Sequence, residues 1–484
     1  MGQEKRFKKV LNAGDVLVTA FGAMIGWGWV VSSGGWIQSA GTLGTVIGFV
    51  IGGMMIYFVG LTYAELTTAM PKCGGEHLFS YKAFGPAGSF VCTWAIILSY
   101  IGVACFEACS LPTIVQYIFP EFMQGYLYTV AGFDIYLTWL IVAVVAAVAI
   151  TVINILGVKA AAVLQMILTI TIAVVGILLV AASAISGNPQ NLDGQFIVGD
   201  DGFGKVSSIL SVAVIAPFFL FGFDVIPQAA EEINVPLKKL GKILILSIVL
   251  AVSFYALVVF AVGYAMNPSE IESSMGGSGL VTADAMAKVF GSDVMAKVLI
   301  IGGMCGIVTS WNSFLIGGSR AMFSMGEAYM IPHAFSKLHK KYKTPVNSLI
   351  LIGLLSVVAP FFGRKMLVWI SDAASFACCL AYCMVAVSFL VIRKKYPEMT
   401  RPYKIKHYRV IGILAVILSG LMVVLYLIPG SSCSMTAEEW IITGGWALLG
   451  IIFVVSCKLK YKDKFGSVVD ENEEAEKVTE AENG

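Results

Sequence analysis

Two glycine-containing interruptions of apolar runs carry most of the chemistry this sequence could do. GAMIGWGWVV (22–31) sets Gly22, Gly26 and Gly28 around Trp27 and Trp29, and SSGG (32–35) follows. Glycine weakens helices and exposes backbone. A helix that stops near Met24 and restarts near Trp27 would leave free carbonyls on one side and free N–H groups on the other. The carbonyls suit an ammonium; the N–H groups and positive dipole end suit a carboxylate. Gly22 and Gly26 also have the spacing of close helix packing. A second stretch, APFFLFGFDVIPQAAEEINVP (216–236), favours the break: Gly222 sits between aromatics, Asp224 follows and Pro227 comes one turn on. Pro removes a backbone donor, and a carboxylate within lipid must find partners. A second break is predicted near 221–224. Asp224 could gate it, hold the unwound turn or cap the following half-helix.

Aromatic walls suit such a site. Trp27, Phe218, Phe221 and Phe223 are candidates, with Trp311 or Phe314 from a later segment. A ring over an ammonium adds cation–π attraction; the same rings could instead be core or lipid-facing bulk. Glu107, in IGVACFEACS (101–110), is the other intramembrane ionisable group singled out. It could carry a proton, bind a basic side chain or serve as a hydrogen-bonded packing carboxyl.

These residues need a lipid-embedded scaffold. The chain has 484 residues, 58% hydrophobic and 13% charged, with a mean hydropathy of +0.85. Soluble domains average about 45–50% apolar and about 25% charged. About 20 apolar helical residues cross a bilayer. Apolar runs predict twelve spans: 14–38, 43–68, 87–118, 134–156, 160–186, 206–231, 241–265, 294–324, 346–362, 367–392, 408–428 and 439–457. The expected class is all-α integral membrane. Broken spans 1 and 6 would head two sets of five, and an odd number per set makes the halves inverted.

An even count puts both termini on one side. Five of the 32 Lys and Arg (Lys205, Lys288, Lys297, Arg364 and Lys365) fall on the other side, so the positive-inside bias places both termini in the cytoplasm. The basic N-terminus, with Lys5, Arg6, Lys8 and Lys9, reads as the flank of span 1, not as a signal peptide. Arg6 stands where a myristoylation motif needs Ser or Thr. Basic residues are scattered, so nucleic-acid binding is not expected. The ten cysteines lie mostly in apolar runs as small core residues. Cys378, Cys379 and Cys383 have no nearby histidine, so no metal site is expected. The tail (458–484) begins basic and ends in a solvated acidic stretch.

With these motifs in order, the chain resembles the amino acid–polyamine–organocation permeases. GAMIGWG resembles the family's first-helix break, and YAELTTAMPKCGGEHLFSYKAFGP (63–86) its signature after the second helix. GFDVIPQAAEEINVP resembles its sixth-helix ending, with Asn234-Val235-Pro236 in place of Asn-Pro; GGSRAMFSMGEAYMIP and TPVNSL resemble the end of its eighth helix and the start of its ninth. The likeness spans roughly 10–410. It implies a five-plus-five inverted-repeat, LeuT-like core with broken helices 1 and 6, alternating access, and an amino acid or amine substrate. It also implies backbone contacts from Trp27 and Gly28 to a carboxylate, and carbonyls of Met24 and Phe221 to an amine, with Gly26 between. The family often has a hydroxyl residue where Trp27 stands. Residues 160–187 lack the lysine that some members use in place of sodium; a sodium site of Thr309, Ser310 and Ser313 with span 1 carbonyls is one alternative, exchange without an ion another. Residues 119–133 contain no cysteine, so no disulfide-linked partner between spans 3 and 4 is expected.

The organisation expected is a cytoplasmic N-terminus (1–13), repeat 1 (14–186), an outer loop (187–205), repeat 2 (206–392), spans 11 and 12 with the preceding loop (393–457) and a cytoplasmic tail. Glu65, Lys72, Glu76 and Lys82 fall near the inner gate or headgroups; Glu231 and Glu232 could pair with Lys238 or Lys239. The function expected is proton-coupled uptake (symport) of neutral amino acids across the plasma membrane, without a cofactor. An amino acid or amine exchanger, and a polyamine or cationic amino acid permease, remain alternatives. A transport-inactive sensor is another class. A membrane enzyme fits poorly: His77, His333, His339 and His407 all fall in predicted loops, and no nucleophile or Walker A motif appears.

Overall fold

The computed structural model describes residues 7–467 except 131, 364, 430, 432 and 433. Lys5, Arg6, Arg364, the myristoylation position at Gly2 and the acidic part of the tail lie outside the described residues. Among those described, ten helices are long and apolar enough to cross a membrane, from Thr42–Ala69 to Ala437–Lys464. The predicted spans 1 and 9 correspond to shorter apolar helices, Ala13–Met24 and Val346–Phe362.

Span 1 is divided. Asn12 caps its first piece: its side chain accepts from the N–H groups of Gly14 (2.8 Å) and Asp15 (3.0 Å), and Asp15 returns a bond to the Asn12 N–H. This reciprocal box fixes where the helix starts. The helix ends at Met24, resumes as Gly28–Val31 and continues as Ser33–Ala40, with Ser32 in helical conformation between. Span 6 runs Gly202–Ile215, tightens into a 3-10 turn over Ala216–Leu220, opens at Phe221 and re-forms as Val225–Gln228.

The remaining spans pack around these two. Span 3 (Gly75–Ile118) lies against spans 8 and 10, span 2 against span 7, and span 8 (Asp293–Glu327) against span 5. Burial separates core from periphery: 83% of the span 3 window is buried, against 11% for span 12. Removing such apolar surface from solvent is the general source of packing stability in water; between helices in lipid, close van der Waals fit takes its place.

Several expectations are revised. The 71–86 stretch is not an open loop: it turns helical at Gly75 and joins span 3 across a kink at Gly85, whose φ of +74° is open to glycine. His77 therefore lies buried in a helix, 2.8 Å from the Ser89 hydroxyl. The loop after span 3 holds an antiparallel hairpin, Tyr126–Val130 with Phe133–Tyr136, so the fold is not purely helical and span 4 starts at Leu137. Two further helices, Pro268–Gly276 and Val281–Phe290, join spans 7 and 8. They roof span 1: Thr282 donates to the Trp29 carbonyl (2.9 Å) and bonds the Ser33 hydroxyl.

Candidate functional site

The two interruptions touch. Gly222 has φ +129°, and a Cβ there would stand 2.7 Å from the Ala23 Cβ. Only glycine combines that dihedral with that approach. Gly306 of span 8 closes from another side, where a Cβ would lie 2.6 Å from the Gly26 carbonyl oxygen. The backbone of both breaks is thus held in one place by positions that admit no side chain.

Beside the junction is a cavity of about 200 Å³. Met24, Gly26, Trp27, Gly28, Phe218, Phe221 and Phe314 line it, with Glu107 and Ser310. Phe223 and Trp311 do not. Trp311 is one residue from Ser310, about 100° around the helix, whereas Phe314 follows Ser310 by four and shares its face. Phe223, beyond the turn at Gly222, packs between Tyr63 (5.3 Å) and Tyr382 (5.4 Å).

Polar groups are few. Glu107 is 3% exposed, its Oε2 is buried without a hydrogen-bond partner, and a Cβ at Gly26 would lie 3.1 Å from its Oε1. The carboxylate therefore points at the break of span 1. The Met24 carbonyl accepts from the Tyr255 hydroxyl at 3.2 Å, and a carbonyl has a second lone pair for another donor. Phe221, φ −71° and ψ +147°, leaves its 3-10 turn in extended conformation.

Asp224 sits off the cavity, among donors. The Tyr100 and Tyr382 hydroxyls each reach its carboxylate at 2.6 Å, and the Gly222 N–H at 3.0 Å. The Tyr382 ring packs edge-on against Phe221, centroids 5.4 Å apart, so one residue touches both the cavity wall and the carboxylate. Sequence reasoning singled out neither tyrosine. The available signal was position: a tyrosine in mid-span needs a partner for its hydroxyl.

The three hydroxyls considered for sodium have these partners. Thr309 donates to the Gly306 carbonyl (2.9 Å), Ser313 to the Thr19 carbonyl (3.2 Å), and Ser310 borders the cavity. Nearby, Gln165 of span 5 reaches the Val18 carbonyl (3.4 Å) and accepts from Asn312 (2.8 Å). No cluster of three or more His, Cys, Asp or Glu that could hold a metal occurs among the described residues.

Toward the face carrying the N-terminus, polar pairs fill the interior. Glu76 bonds Gln228. Glu232 pairs with Arg320 at 2.8 Å, both buried, not with Lys238 or Lys239. Arg320 comes from span 8, so burial selects the partner that reaches inward. Glu65 pairs with Arg393 (2.7 Å) and Arg401 (3.2 Å). Glu231 accepts from the Cys73 N–H at 3.1 Å, and the Lys82 ammonium lies 4.6 Å over the Tyr396 ring. The N-terminal segment closes the layer: the Val10 and Leu11 N–H groups bond the Glu232 carbonyl.

Known proteins resemble this chain over most of its length. The amino acid permease family model matches residues 11–454. The chain is 28% identical over 434 residues to the branched-chain amino acid permease BcaP of Bacillus subtilis, covering 86% of this chain and 87% of that one. It is 23% identical to the serine/threonine exchanger SteT of the same organism (86% and 90% covered). It is likewise 23% identical to that organism's methylthioribose transporter (91% and 93% covered).

Proposed function

The chain belongs to the amino acid permease family, and from that premise we propose that it is a secondary active transporter that carries neutral amino acids by alternating access. The cavity at the meeting of the two breaks carries this reading. Ligand pockets for larger molecules run to about 300–1,000 Å³; at about 200 Å³ this one suits a single small solute. Its wall is mainly apolar, which favours an uncharged side chain.

The substrate's carboxylate faces the N–H groups at Trp27 and Gly28, and its ammonium faces the Met24 and Phe221 carbonyls. Glu107, beside Gly26, is the proposed proton site: as the neutral acid it accompanies the substrate without leaving an unpaired buried charge, while the Met24 and Phe221 carbonyls hold the ammonium, so proton and substrate are carried together. Trp27 fills space where relatives often carry a hydroxyl, and so limits substrate size.

Residues 14–186 and 206–392 are read as the two inverted repeats of a twelve-span, LeuT-like core, with both termini in the cytoplasm of a plasma-membrane protein. In that orientation the layer from Asp224 to Arg320 is the inner gate. Moving Phe221 would move Tyr382, and with it the grip on Asp224. Sodium coupling is the alternative reading: Thr309 and Ser313 donate to backbone carbonyls and keep their oxygen lone pairs for a cation.

The test is a thermal-shift screen of the purified chain against the twenty amino acids and common polyamines. A bound ligand stabilises the state that holds it. Stabilisation by neutral amino acids is expected. Stabilisation by polyamines alone would overturn the assignment.

A further inference from the structure

A second, larger cavity lies away from the helix breaks. A groove of about 770 Å³ lies between spans 3, 10 and 12. Its walls include Phe90, Trp94, Phe376, Ala447 and Val454, and Lys458 stands at one end. Along span 12 it runs from Thr443 to Lys458; at 1.5 Å per residue that is about 22 Å, more than the roughly 15 Å depth of one hydrocarbon leaflet.

Its two indole N–H groups are matched, while the Thr443 hydroxyl is buried without a hydrogen-bond partner. Trp94 and Trp446 stack with centroids 4.2 Å apart, and each indole N–H donates to the other's backbone carbonyl at 2.8 Å. The wall they leave is apolar. At the groove's end the charge is positive: Lys458, Lys460, Lys462 and Lys464 follow at alternate positions. Two basic residues suit the dipole of a helix C-terminus, but Lys458 also lines the groove, with its ammonium 5.4 Å over the Phe465 ring.

We infer that this groove seats an acyl chain of an anionic phospholipid, whose headgroup the lysines ending span 12 hold. An apolar slot continuous with a basic cluster at the membrane edge matches such a lipid at both ends, since juxtamembrane lysines attract anionic headgroups. A second copy of the chain would satisfy the apolar wall but would bring another basic cluster to it. The site also touches the transport core. Gly466, just past the lysines, donates its N–H to the Ala328 carbonyl at the end of span 8 (2.8 Å). The lipid would therefore steady the chain segment pinned beneath span 8, whichever solute is carried.

Native mass spectrometry of the full chain, released from detergent with equal amounts of dioleoyl phosphatidylglycerol and dioleoyl phosphatidylcholine, tests this. Retention of the phosphatidylglycerol is expected to exceed that of the phosphatidylcholine about tenfold. The triple variant Lys458→Gln, Lys460→Gln, Lys462→Gln should erase the preference, and Ala447→Trp, which fills the slot, should lower retention of both. Quenching by brominated forms of the two lipids checks the place: Trp446→Phe, which removes one of the two stacked indoles of the wall, should reduce the quenching by brominated phosphatidylglycerol. Equal retention of both lipids by the unaltered chain, or unchanged quenching in Trp446→Phe, would overturn the proposal. A two-chain species abolished by Ala447→Trp, with no lipid retained, would assign the groove to a second copy and overturn it too.

Discussion

Gly222 rests on Ala23, so the break of span 6 is braced directly by the break of span 1. A Cβ at 222 would stand 2.7 Å from the Ala23 Cβ and 2.9 Å from the Ala23 carbonyl carbon, on a backbone with φ +129°. Gly222→Ala must strain the dihedral and push the breaks apart. Alanine at an incompatible positive φ costs more than about 1 kcal/mol, and the contact adds to it. Uptake in proteoliposomes should fall about tenfold or more, while the chain still elutes as a folded species on gel filtration.

Tyr100 and Tyr382 share one acceptor. Leaving a buried group short of a partner costs about 1–3 kcal/mol. Tyr100→Phe and Tyr382→Phe should each slow transport, and the double variant should depart from additivity because both act through Asp224. In Asp224→Asn, the two tyrosine substitutions should lose most of their effect. Uptake rates for the full cycle of variants provide the check.

Glu107→Gln keeps the shape of the side chain and removes its proton chemistry. If Glu107 is the coupling site, the pH dependence of uptake disappears in this variant while substrate binding persists in a thermal-shift assay. An unchanged pH profile removes Glu107 from that role.

The buried Glu232–Arg320 pair predicts an asymmetry. Breaking such a pair from one side strands a charge and costs about 3–5 kcal/mol, whereas replacing both partners is far milder. Arg320→Met should lower the thermal midpoint clearly, and adding Glu232→Gln should recover part of the loss.

Over the breaks, the roof has its own pH response. Burial pushes the Glu270 carboxyl up, but bonds from Lys288 (2.7 Å) and the Asn267 N–H outweigh it and hold the carboxyl below its usual range. A depressed carboxyl stabilises the folded state above its unfolded value, near 4.3, and the contribution fades as pH falls through the lower folded value. Protection of the amides of residues 269–276 against exchange should fall below about pH 4, and Lys288→Gln should weaken that dependence. The pair is partly exposed, so the effect is small.

The breaks could be read from sequence because glycine and proline act locally: Gly222, Pro227 and the Gly22–Gly28 cluster disturb a helix wherever it packs. Wall residues were legible where face and break coincide, as for Phe218, Phe221 and Phe314. Trp311 was misplaced because a helical face depends on rotation, which composition does not fix. The partners of Asp224 and Glu232 were hidden for another reason. Tyr100, Tyr382 and Arg320 lie 124, 158 and 88 positions away, and nearby Lys238 and Lys239 offered a local alternative that burial rejects. The hairpin at Tyr126–Tyr136 was missed within a loop treated as connection.

The most direct test is uptake of a labelled neutral amino acid into proteoliposomes containing the purified chain, with and without an imposed proton gradient. Saturable accumulation that is competed by the free amino acid but not by its methyl ester is the predicted result, because the proposed site holds the carboxylate through the N–H groups at Trp27 and Gly28. Binding of the amino acid with no flux, or equal competition by the ester, would contradict it.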